Sequence, residues 1–194
     1  MAAATQLLQE KGNTDFTVQD VVDRSKMSIR TFYKYFKSKE DLLVALYETV
    51  VAQKAVPRLR KRIEKSREPL ARFRAYVEGL VELTTRTGQP LAARTLVNYQ
   101  NRLAESRPED LAAAMKPQFD LLVELVGDVA RVHPLRRGLT VETAARLTHY
   151  TVLAAVHGRA LGSEGAFDIT ARTISEFCLA GMGIVVGVSS SKKG

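Results

Sequence analysis

Between Arg24 and Lys39 the chain holds six basic residues (24, 26, 30, 34, 37 and 39) and no acidic ones, interleaved with Tyr33, Tyr35 and the hydroxyls of Ser28 and Thr31. These groups suit a polyanion. Ammonium and guanidinium groups neutralise phosphates, and a phenol or aliphatic hydroxyl beside a phosphate gains a hydrogen bond. A guanidinium such as that of Arg30 also matches the paired acceptors of a guanine edge. A solvated basic helix face is the commoner use of such a charge run, but it has no need of two tyrosines.

Three helix starts surround this run and position it. Thr17 has Asp20 three residues on, the pattern of a capping box, with Phe16 and Val21 at the staple positions. Ser28 repeats the pattern with Met27 and Phe32 as the staple, and Ser38 repeats it with Asp41 as the box acid. Two short helices, a tight turn and a third helix predict a helix-turn-helix. Phe32 and Phe36 lie four apart and turn towards Val18, Val21 and Val22. The other face of the second helix is left to Arg30, Thr31, Tyr33 and Lys34, as entry into a DNA major groove requires.

The string from Ser28 to Leu42, SIRTFYKYFKSKEDL, resembles the recognition helix and following helix start of TetR/AcrR-type transcriptional regulators, and the likeness is specific from about Leu7 to Leu46. It implies phosphate contacts from Tyr33 and Lys39, and base-facing positions at Ile29, Arg30 and Lys34. Thr31 and Tyr35 would lie along the backbone or groove edge, and the caps Thr17 and Ser28 complete the candidate DNA contacts. Arg30 stands where the family often has Gly, so sequence preference does not carry over. The family's first helix is also usually longer and more basic than Ala2–Lys11.

Composition agrees with such a partner. The 194 residues carry a net charge of +8, which suits a polyanion. Residues 1–50 hold seven basic and seven acidic residues, so the DNA-facing part is neutral overall and polarised locally. Between Lys54 and Arg67 lie seven basic residues against Glu64, a run read as a solvated helix end. The single cysteine, Cys178, excludes an intrachain disulfide and reads as a buried thiol. Neither a signal peptide nor a bilayer-length apolar run is present, and a cytoplasmic protein is expected.

The expected fold is all-α. A helix-turn-helix domain spans 1–46, a helical effector-binding and dimerisation domain 47–188, and a flexible tail 189–194. Helices are expected over Ala2–Lys11, closed by Gly12, from Ser38 to about Val56, from Pro69 to Thr87 and from Leu91 to about Glu105. Further helices run from Pro108 to Val132, with an internal kink or a division into two pieces at Pro117, from Thr140 to Leu161, and from Asp168 through Val185. Pro57 is expected to kink or end its helix, and Gly88 and Pro90 act as breaks. The last two helices are apolar on several sides, so they must be covered. Leu153, His157, Ile174, Phe177, Gly181 and Gly183 are the candidate interface of a homodimer that offers two reading heads to a palindromic operator. Tyr76, Tyr99, Met115, Phe119, His149 and Tyr150 are candidate lining for a small organic effector, although core packing accounts for the same spacing.

No catalytic residue, metal or cofactor is expected. There is no nucleophile elbow, zinc-binding H-E-x-x-H, Walker loop or complete dinucleotide fingerprint, and His149 and His157 lie about 12 Å apart along one helix. The reading is a ligand-released, operator-binding regulator, with a helical small-molecule or lipid carrier lacking DNA function as the alternative.

Overall fold

The computed structural model describes residues 1–85, 90–162 and 168–185, with side chains omitted at 83–94, 96, 97, 160 and 161. Gly88, Phe167, Val186 and the tail 189–194 lie outside the described residues. Every regular element among the described residues is helical: α1 Ala2–Lys11, α2 Val18–Ser25, α3 Ile29–Tyr35, α4 Lys39–Glu48, α5 Val56–Ile63, α6 Pro69–Thr85, α7 Pro90–Ser106, α8 Pro108–Val132, α9 Val141–Leu161 and α10 Ala171–Gly181.

The helix starts follow the sequence grammar closely. Thr17 Oγ1 accepts from the Asp20 amide, and the Asp20 carboxylate accepts from the Thr17 amide at 2.8 Å, a complete capping box. Ser28, Ser38 and Thr140 each accept from the amide three residues on. The box at Ser38 is altered, because the Asp41 carboxylate reaches back to the Lys37 amide at 3.0 Å. Gly12 and Gly162 close α1 and α9 with φ of 67° and 71°, the left-handed conformation that glycine takes without a Cβ penalty.

Four expectations need correction. Thr170, and not Asp168, caps α10, since its hydroxyl sits three residues before the Thr173 amide. That helix ends at Gly181, four residues short of Val185, in a turn where Gly183 has φ 90°. Pro57 does not end the helix that begins at Ser38. A π-type turn over Thr49–Ala55 widens the backbone, and Pro57 then sits at the start of α5, where its missing N–H costs little. Pro117 does not divide α8, which continues through it as Leu121, Leu122, Leu125, Val126 and Val129 all face the core.

One apolar core links the two ends of the molecule. Phe16, Phe32, Leu42 and Leu43 fill the helix-turn-helix, and Leu59, Ile63, Phe73, Tyr76 and Leu121 continue the core beyond it. The division at 46–47 falls inside α4, whose Leu42, Leu46 and Tyr47 are all buried. Gly79 lets α6 close on α5, since a Cβ there would lie 2.7 Å from Leu59 Cδ2. Arg62 is thereby placed between Glu78 and Glu82, at 2.8 and 3.0 Å. Arg60 pairs with Glu124, so two of the seven cations from Lys54 to Arg67 are held in ion pairs. Among the described residues, no helix is long and apolar enough to cross a membrane.

Candidate nucleic-acid interface

Only Phe32 of α3 is fully buried; its ring meets Phe36 at 5.6 Å and Tyr33 edge-on at 5.4 Å. With that anchor fixed, the 3.6-residue period turns Arg30 and Lys34 outward and Tyr33 to the flank, while Ile29 and Tyr35 stand exposed at the two ends of the helix. Ile29 is 49% exposed, Tyr33 52% and Tyr35 68%. Large apolar and aromatic side chains held this far into water mark a contact surface. Lys34 lies 5.9 Å from the Tyr35 ring, so the cation and the phenol occupy one patch. No ion pair engages Lys26, Arg30, Lys34 or Lys37 among the described residues.

Two of the six cations have other work. Arg24 makes a bidentate pair with Glu10 of α1, at 2.7 and 2.8 Å. Lys39 donates to the carbonyls of Thr14 and Phe16, at 2.8 and 2.9 Å, and fastens the start of α4 to the loop before α2. The sequence gives no sign of this contact, which spans more than twenty residues. Thr17 and Ser28 use their hydroxyls as caps, and Thr31 shares a 2.8 Å hydrogen bond with Ser28. The turn between α2 and α3 passes through Lys26 at φ 55°, a left-handed conformation that costs a non-glycine residue about 1 kcal/mol.

The candidate effector residues are spread over α6, α7, α8 and α9. Tyr76 is buried and donates to the Gln118 carbonyl at 3.3 Å. Tyr99 is buried edge-on to Tyr47, and its hydroxyl has no hydrogen-bond partner among the described residues. Burial pushes the phenols of Tyr47, Tyr76 and Tyr99 well above their ordinary range. Beside Tyr99, a polar track crosses three helices. His157 Nε2 lies 3.3 Å from Gln100 Oε1, and Gln100 Nε2 lies 3.5 Å from the Met115 sulfur. Phe119 packs edge-on to His149 at 6.0 Å, beneath the Arg146 guanidinium at 5.2 Å. Burial lowers the pKa of both histidines. Tyr150, 55% exposed, lies on the outer face of α9 rather than in the core. A groove of about 520 Å³ beside the π-type turn is lined by Phe36, Ala45, Thr49, Ala52, Ala114 and Pro117, and by none of the residues expected to hold an effector.

The candidate dimer residues also separate. Phe177 of α10 is 67% exposed, and Leu147, Tyr150 and Ala154, at helical spacing on one side of the neighbouring α9, are exposed as well. A Cβ on Gly181 would meet nothing in this chain. Leu153 is half-buried, whereas His157 turns inward to Gln100. Ile174 belongs to this chain's own core. Gly183 packs against Arg136, whose amide donates to the Met182 carbonyl at 2.8 Å. Cys178 is buried, and burial raises its thiol pKa.

Residues 1–46 match the family model described as bacterial regulatory proteins, tetR family. No curated protein matches the chain in sequence. Among solved structures, the fatty acid degradation regulator FadR of Bacillus halodurans is similar, at 19% identity over 93% of this chain and 96% of that one, with a TM-score of 0.73. FadR of Bacillus subtilis, solved with stearoyl-CoA, is 17% identical over 93% and 96%, with a TM-score of 0.75. FadR of Thermus thermophilus, a TetR-family repressor solved with lauroyl-CoA, is 21% identical over 100% and 97%, with a TM-score of 0.70. Likeness at such identities shows the shared fold. The match over residues 1–46 gives this chain a helix-turn-helix of the tetR regulatory family, and the fold of its full length is that of TetR-family regulators.

Proposed function

We propose that this regulator is a cytoplasmic repressor that binds a palindromic operator as a homodimer and releases it when a small organic effector enters the helical core. The observation that carries the DNA half is the outer face of α3, where Ile29, Arg30, Tyr33, Lys34 and Tyr35 stand together in water with no acidic neighbour on the helix. Arg30 and Lys34 would read base edges with Ile29, while Tyr33 and Tyr35 would meet the backbone. Lys39 can reach a phosphate only with the donor left over from its two carbonyl bonds.

The outward apolar face of α9 and α10 supports the dimer. Leu147, Tyr150 and Phe177 would be covered by the same residues of a second copy, with Ala154 and Gly181 allowing close approach. Two recognition helices would then address half-sites about 34–36 Å apart.

The unpartnered Tyr99 hydroxyl and the His157–Gln100–Met115 track support an effector with a polar group at one end of an apolar body. A buried hydroxyl without a partner costs about 1–3 kcal/mol, which an effector atom in hydrogen-bond reach would recover. Two of the similar FadR structures, those of Bacillus subtilis and Thermus thermophilus, hold acyl-CoA molecules, so long-chain acyl thioesters are the first class to test. The experiment is selection of bound duplexes from random DNA, repeated with stearoyl-CoA and lauroyl-CoA. A palindromic site lost on addition of either supports the proposal. Failure to enrich any sequence overturns the operator reading, and an operator indifferent to both ligands removes acyl thioesters.

A further inference from the structure

One carboxylate joins the exit of the recognition helix to the corner between α7 and α8. Phe36 leaves α3 in an extended conformation, φ −133° and ψ 120°, so the next amide, that of Lys37, has no helical acceptor. Asp41 Oδ2 takes that amide at 3.0 Å. Its other oxygen, Oδ1, takes Nη1 of Arg107, which stands at the corner between α7 and α8. Arg107 is fixed in turn. Its Nε donates to Asp110 in the first turn of α8, its amide bonds Leu103 O at 2.8 Å, and its carbonyl accepts from Leu111 at 3.1 Å.

A second arm runs beside the first. Arg102 Nη2 lies 3.6 Å from Glu40 Oε1, and its Nη1 lies 3.3 Å from Thr14 Oγ1 in the loop that Lys39 also holds. About two turns further along α4, the buried Tyr47 ring meets Tyr99 of α7 at 5.8 Å. A movement of α7 in the core therefore displaces two arginines bonded to the reading head.

We propose that the Arg107–Asp41 pair, supported by Arg102–Glu40, is a latch that sets the orientation of the recognition helix. Arg107 is then a positioning residue for operator binding. This rests on the operator reading above. The latch contributes direction more than stability, because all four side chains are between 28% and 47% exposed and ion pairs so exposed add little to folding. What it fixes is geometric: the Lys37 amide, the Asp41 carboxylate and the Arg107 guanidinium form one hydrogen-bonded chain, and releasing the guanidinium frees the carboxylate that holds the end of α3.

The test uses full-length Arg107→Gln, Arg107→Lys, Asp41→Asn and the Arg107→Gln/Asp41→Asn double variant, with Arg146→Gln as a comparison from an exposed i,i+4 pair. Amide hydrogen exchange over residues 28–41 needs no DNA and is read first. In Arg107→Gln, exchange at Lys37 and through α3 is expected to quicken at least fivefold, with α1 unchanged and melting within about 3 °C of wild type. Operator affinity is expected to fall about tenfold with an unchanged salt slope. Arg107→Lys should recover part of the loss, and the double variant should be no worse than the worse single one. Exchange and affinity within twofold of wild type, additive losses in the double variant, or a salt slope lowered by about one unit would each overturn the latch. If Lys37 protection responds to Arg107 but wild type enriches no DNA sequence, the operator reading fails and the coupling of Arg107 to α3 stands.

Discussion

Lys39 Nζ lies 2.9 Å from the carbonyl oxygen of Phe16 and 5.3 Å from the centroid of its ring. A lysine at a position the family resemblance assigns to a phosphate thus spends two of its three donors inside the protein. Lys39→Ala is expected to lower the melting temperature by several degrees, since a charge-assisted bond contributes about 1.5–3 kcal/mol and partial exposure reduces that figure. If the remaining donor meets a phosphate, the same change also lowers the salt slope by about one unit. Tyr33→Phe separates the two roles. It should weaken binding to all sequences alike and leave the melting curve where it was, because the phenol stands in water. Calorimetry beside salt titrations checks both, and a slope unchanged in Lys39→Ala makes that residue purely structural.

Arg30 and Lys34 are expected to govern choice. Arg30→Ala should cost about 1–3 kcal/mol at one base pair per half-site and relax selection there. Repeating the duplex selection with this variant measures it, and a uniform loss over every operator variant would make Arg30 a backbone contact.

Assembly should respond to Phe177 and Gly181 but not simply to Gly183. Phe177→Glu puts a charge on the exposed apolar face and is expected to give monomers by light scattering, with specific affinity lost and weak non-specific binding retained. Gly181→Leu should act in the same direction, because the space it would fill is empty within one chain. Gly183→Leu is different: its φ of 90° and the Arg136 Cβ at 3.1 Å make it destabilise each chain. A dimer that survives Phe177→Glu would place the interface elsewhere.

Stability should decline in mild acid because of two half-buried histidines. Burial lowers the folded-state pKa of His149, with Arg146 adding to the effect, and burial lowers that of His157. Between the folded and unfolded values the unfolded chain binds more protons, so stability is full above the unfolded pKa of about 6.5 and falls as pH drops below it. The melting temperature is expected to be flat from pH 8 to 7 and to fall from 6.5 to 5. His149→Gln should flatten part of that fall. Asp41 is held below its ordinary range, first by Arg107, so its contribution persists through this window and is lost only in stronger acid.

The reading head was legible from sequence because its determinants are local. Thr17, Ser28 and Ser38 cap through amides three residues away, and Phe32 fixes the rotation of α3 by its place in a 3.6-residue period. That rotation decides that Arg30 and Lys34 face water, whereas Ile29 and Tyr35, which the period places on the side of Phe32, are left exposed at the two ends of the helix.

Long-range partners were not legible. The family resemblance assigned Lys39 to a phosphate, and the sequence reading placed Ile174 and Gly183 at a subunit interface and Tyr150 in a cavity. Tertiary packing decided that Lys39 faces two carbonyls more than twenty residues back, that Ile174 and Gly183 are used within one chain, and that Tyr150 stands outside. The π-type turn ahead of Pro57 was equally hidden, since a proline removes one amide but does not dictate whether the helix stops or widens to pass it. Capping, periodicity and charge are properties of neighbours along the chain, and the sequence by itself determined those. Which cation meets which carboxylate or carbonyl depends on how helices pack across tens of residues, and only the tertiary structure decided that.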